Sequence, residues 1–137
     1  MKIFFDTNVY IAESLLGDAA QRMIEATQRA RWRIYASEYL LDEVAHVLVD
    51  ELGFSSRLAM VLRRRVARRS VLVMAQSTAE VPHDPKDNPI LRAALSCGAD
   101  YLVTNDTHLL ALDPCEGLRI ISVTAYRELL RERGLLT

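Results

Sequence analysis

Short apolar runs of about four or five residues alternate along this chain with longer segments of helical period, and no other feature constrains its fold as much. Strands that read as continuous apolar runs are buried on both faces, and parallel neighbours need a crossover between them, which is most often a helix. The pattern therefore predicts an α/β fold with a parallel sheet. Strands are expected near 2–5, 33–36, 71–75, 100–104 and 119–122. The first helix is expected over Thr7 to Leu16, stopped by Gly17, and the second over Asp18 to Ala30, with Ala20, Met23, Ile24 and Thr27 on one face. Ser37 is a good N-cap for a third helix reaching Leu52 and closed by Gly53, and Ser55 or Ser56 opens a fourth running to about Arg69. The longest expected loop is Gln76 to Lys86, kept out of regular helix by Pro82 and Pro85. No repeat, linker or low-complexity segment interrupts this order, and 137 residues fit one domain over 1–137.

Composition excludes some classes of function. Half of the residues are hydrophobic and 26% are charged, a balance that suits a folded globular protein rather than a disordered one. No apolar run approaches the ~18 residues of a spanning helix, so no membrane role is expected. Cys97 and Cys115 form neither a CxxC pair nor a disulfide framework, which points to a reducing, cytoplasmic setting. With a formal net charge of −1, any polyanionic partner must be met by a local patch.

Four acids stand where strands end. The run Lys2-Ile3-Phe4-Phe5 breaks abruptly into Asp6-Thr7-Asn8, so a buried strand delivers Asp6 to the carboxyl edge of the sheet. On the third helix, at about 100° per residue, Leu40, Leu41, Val44, Val47 and Leu48 share an arc of about 120°, with Glu43 about 60° from Leu40 at its margin. Asp42 and Asp50 point elsewhere and suit a solvated face. Pro89 favours the first position of a further helix, making Asn88 the cap and leaving Asp87 just outside it. Asp84 lies farther off and is peripheral. Finally, Tyr101-Leu102-Val103 breaks into Thr104-Asn105-Asp106, repeating the logic of Asp6. Each acid has a plainer reading, as a helix cap or, for Glu43, as a boundary residue paired with an arginine. Their common placement argues for more, because open α/β sheets build sites at the carboxyl ends of their strands. If strand 4 lies beside strand 1, Asp6 and Asp106 flank the switch point.

Basic residues gather on the fourth helix, with Arg57, Arg63, Arg64, Arg65, Arg68 and Arg69, and before the second strand, with Arg29, Arg31 and Arg33. Phosphates could dock there, although charge runs more often simply face water. Arg65 differs, falling within the apolar arc of Leu58, Val61, Leu62 and Val66, which suggests an ion pair or a contact with a partner, RNA included. His46, His83 and His108 share no ligand spacing. Trp32 and Tyr101 read as core residues.

In order and spacing, Asp6-Thr7-Asn8, Ser37 with Glu43, Asp87-Asn88 before a helix, and Thr104-Asn105-Asp106 together resemble the PIN domain family of metal-dependent nucleases, most of all its single-domain, VapC-like branch of toxin components from toxin-antitoxin pairs. The resemblance implies a Rossmann-like three-layer sandwich with strand order 3-2-1-4-5 and helices on both faces. It also implies an acidic site holding Mg²⁺ or Mn²⁺ for hydrolysis of RNA phosphodiesters. Asp6, Asp87 and Asp106 would be metal ligands, Glu43 a ligand or the group that orients or deprotonates water, and Asn8 and Thr104 supports behind them. A cognate antitoxin and a homodimer or higher oligomer are the implied protein partners. The chemistry suits the residues, since crowded carboxylates repel one another unless a hard cation compensates them. Two other readings remain open: a PIN-like binding module without activity, and an aspartyl-phosphate phosphatase-like enzyme. The second expects another carboxylate at the first turn, where this chain has Asp-Thr-Asn.

Overall fold

The computed structural model describes residues 1–74 and 88–137. Five parallel strands form one sheet: β1 (Lys2–Phe5), β2 (Arg33–Ser37), β3 (Val71–Val73), β4 (Tyr101–Val103) and β5 (Arg119–Ile121), in the order β3-β2-β1-β4-β5. The expected α/β three-layer architecture and strand order are therefore both present. The switch point falls between β1 and β4, where Phe5 pairs with Val103. Ile3, Phe4 and Phe5 are fully buried, as the central strand of such a sheet requires.

Helices α1 (Thr7–Leu16) and α2 (Asp18–Arg29) follow β1 and are joined by a single residue. Gly17 caps the end of the first helix and begins the second with φ 73° and ψ −74°, a left-handed conformation that favours glycine. After β2, Ser37 accepts a hydrogen bond from the Leu40 amide and starts α3 (Glu38–His46). The third helix does not continue regularly to Leu52. It widens into a π-helical turn over Val47–Glu51, an extra residue per turn that hydrophobic spacing does not reveal. Helix α4 (Ser56–Arg68) is capped by Ser55 and packs against α3. Asn88 caps α5 (Pro89–Ser96), accepting from the Ile90 and Leu91 amides, with Pro89 at its first position. A single turn, α6 (Thr107–Leu110), follows β4.

The expected elements end with the fifth strand, but a further helix, α7 (Val123–Glu132), follows it and packs against α2. Tyr126 and Leu130 on α7 are fully buried, and the Tyr126 hydroxyl meets Thr27 Oγ1 at 2.6 Å inside the core. The Phe5 ring stacks edge-on against both Tyr10 and Tyr126, so α1 and α7 share one aromatic cluster with the central strand. Trp32 and Tyr101 are half-buried at the margin of the core, with the Arg133 guanidinium 5.4 Å from the Trp32 ring centre. Cys97 and Cys115 are free thiols. Among the described residues, no helix is long and apolar enough to cross a membrane.

If α7 is integral to the core, Leu130→Ala should destabilise the protein by about 2–5 kcal/mol. Tyr126→Phe, which loses only the hydroxyl contact to Thr27, should cost about 1 kcal/mol. Urea denaturation distinguishes these from the few tenths expected of a surface helix.

Candidate functional site

The sheet register lines up the polar residues at its carboxyl edge. Phe5 opposite Val103 places Asp6 beside Thr104, and the ladder continues with the Asp6 amide donating to the Val103 carbonyl at 3.0 Å. On the other side, Phe4 pairs with Tyr35, so carrying the register on by two residues brings Ser37 level with Asp6. Asp6, Ser37 and Thr104 are all buried. This is why the abrupt end of each apolar run matters: the strands stop in step, and the next side chain of each falls on the same edge.

Asp6 is 6% exposed, a buried carboxyl with few neighbours to satisfy it. One oxygen accepts from the Thr7 amide at 2.7 Å, the capping bond of α1, and the other accepts from the Thr104 hydroxyl at 2.6 Å. Thr104 Oγ1 in turn accepts from the Asp106 amide at 2.9 Å, so one hydroxyl holds both strand-end acids. The Asp106 carboxylate caps α6 by accepting from the His108 amide at 2.8 Å. The plain reading of Asp6 and Asp106 as helix caps is correct as far as it goes. A carboxylate has about four lone-pair sites, and each of these caps occupies a single one.

Burial pushes the Asp6 carboxyl above its ordinary range, the bonds from Thr104 and Thr7 oppose that, and the charges of Glu43 and Asp106 push it further up. Glu43 on α3 and Asp106 after β4 therefore both act on Asp6, although they lie 37 and 100 residues away in sequence. Glu43 is half-buried, as its place on the margin of the apolar arc predicts. Chiefly through partial loss of solvent, and then through the nearby Glu43 carboxylate, the Tyr39 phenol is also held above its usual range. Asp87 lies outside the described residues, as do Asp84 and His83. Among the described residues no three acidic, histidine or cysteine side chains stand close enough together to hold a metal ion. Asp6, Glu43 and Asp106 form an acidic edge rather than a closed ligand cage.

Asn8 is exposed on the first turn of α1 and lines a cavity together with Asn105. Asn105 sits inside a motif visible in the sequence, but its task was not. Its side-chain oxygen accepts from the Val123 amide at 3.1 Å, tying the loop after β4 to the start of α7. Arg65 reaches Glu13 on α1 at 3.1 Å, the ion pair that its place among apolar residues suggested. Glu13 is buried, and Arg69 grips it through both carboxylate oxygens at 2.7 Å each. Arg63 bridges Glu38 and Asp42. Arg57, Arg64 and Arg68 remain exposed.

The raised carboxyl of Asp6 makes a testable statement about stability. Below about pH 3.8, its ordinary value, Asp6 is protonated in both folded and unfolded chains. As the pH rises toward its folded value, the folded chain keeps a proton that the unfolded chain has released, so stability falls. In EDTA, Asp6→Asn should therefore melt above the wild type at pH 7, and the difference should shrink toward pH 4. Calorimetry across that range checks it, and a gap independent of pH would show that the carboxyl is not strained by burial.

A model of the PIN domain matches residues 2–108, which span β1 through β4 and Asp106 and reach the start of α6. No individual curated protein matches the chain. The match covers well over half of the sequence, and the order of the strands agrees with it: the chain belongs to the PIN domain family, whose members are generally nucleases.

Proposed function

We propose that this protein is a divalent-metal-dependent endoribonuclease that hydrolyses RNA phosphodiester bonds at the edge formed by Asp6, Glu43 and Asp106, with Asp87 as the fourth acid. The observation that carries this reading is the buried Asp6 carboxyl, destabilised as an anion by burial and by two neighbouring acids at the switch point of the sheet. A fold retains such a group at a cost, and a hard cation would remove that cost. The donor set fits Mg²⁺ or Mn²⁺, being carboxylate oxygen with lone pairs left over after capping. Asp6 and Asp106 would hold the ion, and Asp87 would complete its protein ligands directly or through water.

When bound, the ion supplies a water of lowered pKa and stabilises charge on the attacked phosphate. The chain's own residues do the rest. Thr104 holds the Asp6 carboxylate by its hydroxyl and the Asp106 backbone by its oxygen, which keeps the two strand ends in register with each other. Glu43 orients the attacking water or takes its proton. Asn8, exposed two residues beyond Asp6, is placed to meet a substrate oxygen. The exposed Arg57, Arg64 and Arg68 offer phosphate contacts outside the acidic edge. On its likeness to VapC-like toxins, the enzyme works in the cytoplasm, assembles as a homodimer or higher oligomer, and is restrained by an antitoxin; co-purification with the product of the adjacent reading frame tests that role.

Labelled RNA should be cut by the wild type in Mg²⁺ and left intact in EDTA. Thr104→Ala should lose about 10- to 100-fold in activity or metal affinity, the usual effect of removing a ligand's support. Asp6→Asn should lose more than that. Cutting that survives EDTA and Asp6→Asn alike would exclude a metal nuclease, and RNA binding without cutting in either ion would favour a module that only binds.

A further inference from the structure

Beside the acidic edge lies a cavity of about 160 Å³ of whose lining the proposed hydrolysis uses Asn8 alone. Its floor is apolar, made by Val9 and Ala12 of α1 and by Ala19, Ala20 and Met23 of α2. Its polar groups are few: Asn8 and Asn105 beside the acids, and Arg127 from α7. A small apolar space with a few convergent polar groups is the usual form of a ligand site. An apolar cavity of ~150 Å³ takes a benzene ring, so this one has room for a single planar six-membered ring.

The polar groups also define what they would read. The Asn105 side-chain oxygen is already occupied by the Val123 amide, which leaves its NH₂ group to donate. Arg127 carries only donors, and among the described residues it makes no ion pair. Asn8 can donate or accept, but Asn105 and Arg127 offer only donors, so that side of the slot asks for an acceptor-edged ring. Among the nucleobases, uracil and guanine present carbonyl oxygens where cytosine and adenine present amino groups, and uracil is the one with a single ring. The position agrees with such a ligand. Asn8 is two residues from Asp6, about 3 Å along the helix, and Asn105 adjoins Asp106. A base next to a phosphate held at those acids would meet this slot first.

We propose that this cavity is a nucleobase subsite, in which Arg127 and the Asn105 amide select a keto base, uracil above all, adjacent to the scissile phosphate. The proposal rests on the nuclease reading above for its substrate, but its geometry comes from α1, α2 and α7. Arg127 lies beyond residues 2–108, outside the part of the chain that the PIN domain model matches.

The test uses the full chain in two assays. In the first, RNA randomised in sequence is cut in Mg²⁺ and the new ends are sequenced. The wild type should favour uracil, and guanine to a lesser degree, over cytosine and adenine by about tenfold at one position beside the cut. Arg127→Gln, which removes the charged fork, and Ala20→Leu, which fills the floor, should each reduce that preference to within about twofold. In the second assay, the Ala12, Ala20 and Met23 methyl signals are followed by NMR in EDTA during titration with uridine or cytidine monophosphate. Saturable shifts should appear at about tenfold lower concentration of the uridine nucleotide, and Arg127→Gln should abolish the difference. Unbiased cutting with silent methyl signals would overturn the subsite and leave the nuclease standing. Methyl shifts selective for uridine in a protein that cuts no RNA would keep the subsite and overturn the nuclease. A base preference that survives both substitutions would assign selection to another part of the molecule.

Discussion

The Thr104 hydroxyl is the joint on which the acidic edge depends. It donates to Asp6 at 2.6 Å and accepts from the Asp106 amide at 2.9 Å, and so couples the ends of β1 and β4 across the switch point. A hydroxyl can do both at once because it carries one donor and two acceptor sites. Without it, one oxygen of a buried carboxylate would lose its partner, and the backbone bearing the second acid would be free to move away from the first. Sheet register makes the joint possible, since Phe5 opposite Val103 leaves Asp6 and Thr104 as the next pair on the edge. The function of the site is thus continuous with the pairing of its strands.

Local chemistry made much of the fold legible. Gly17, Ser37, Ser55, Asn88 and Asp106 all cap helices where their residue types predict, because each has a side chain or a backbone freedom that an orphan amide or a reversal requires. All five strands lie within the apolar runs, apart from Ser37 at the end of β2. Strand order followed from placing the strand-end acids together and from the family likeness, not from any local signal. Helix α7 carries local signals of the same kind, a cap at Ser122 and an apolar stripe of Tyr126, Leu129 and Leu130, although the expected elements end with the fifth strand. The π-helical turn left no trace in the spacing of apolar residues.

The site was legible in part for the same reason. Asp6 and Asp106 announce themselves by ending apolar runs, and Glu43 by standing at the margin of one. That Glu43 and Asp106 both act on Asp6 is a property of the tertiary fold, which no single stretch contains. Glu13 is the clearest loss: it falls in a helix of otherwise unremarkable spacing, and its partners are Arg65 on α4 and Arg69 just past the end of α4, more than fifty residues on. Buried pairs of this kind are costly to break and weak as sources of net stability, so their main effect is to fix how α4 sits against α1. They also change what the arginine run means. Arg63, Arg65 and Arg69 are spent inside the protein, and a count of charges on α4 overstates what it offers to a polyanion.

Gly17 gives the slot beside the acids its shape. One wall belongs to α1 and another to α2, and those helices share a single linking residue whose backbone angles, 73° and −74°, suit glycine almost alone. Nothing lies within 4 Å of where a side chain would stand there, so the requirement is for a backbone shape and not for space. With no slack between the helices, the opening cannot be retuned by lengthening or bending a loop. A chain of this design would change what it admits through its alanines, one methyl at a time, leaving the angle between the walls as an inherited constant.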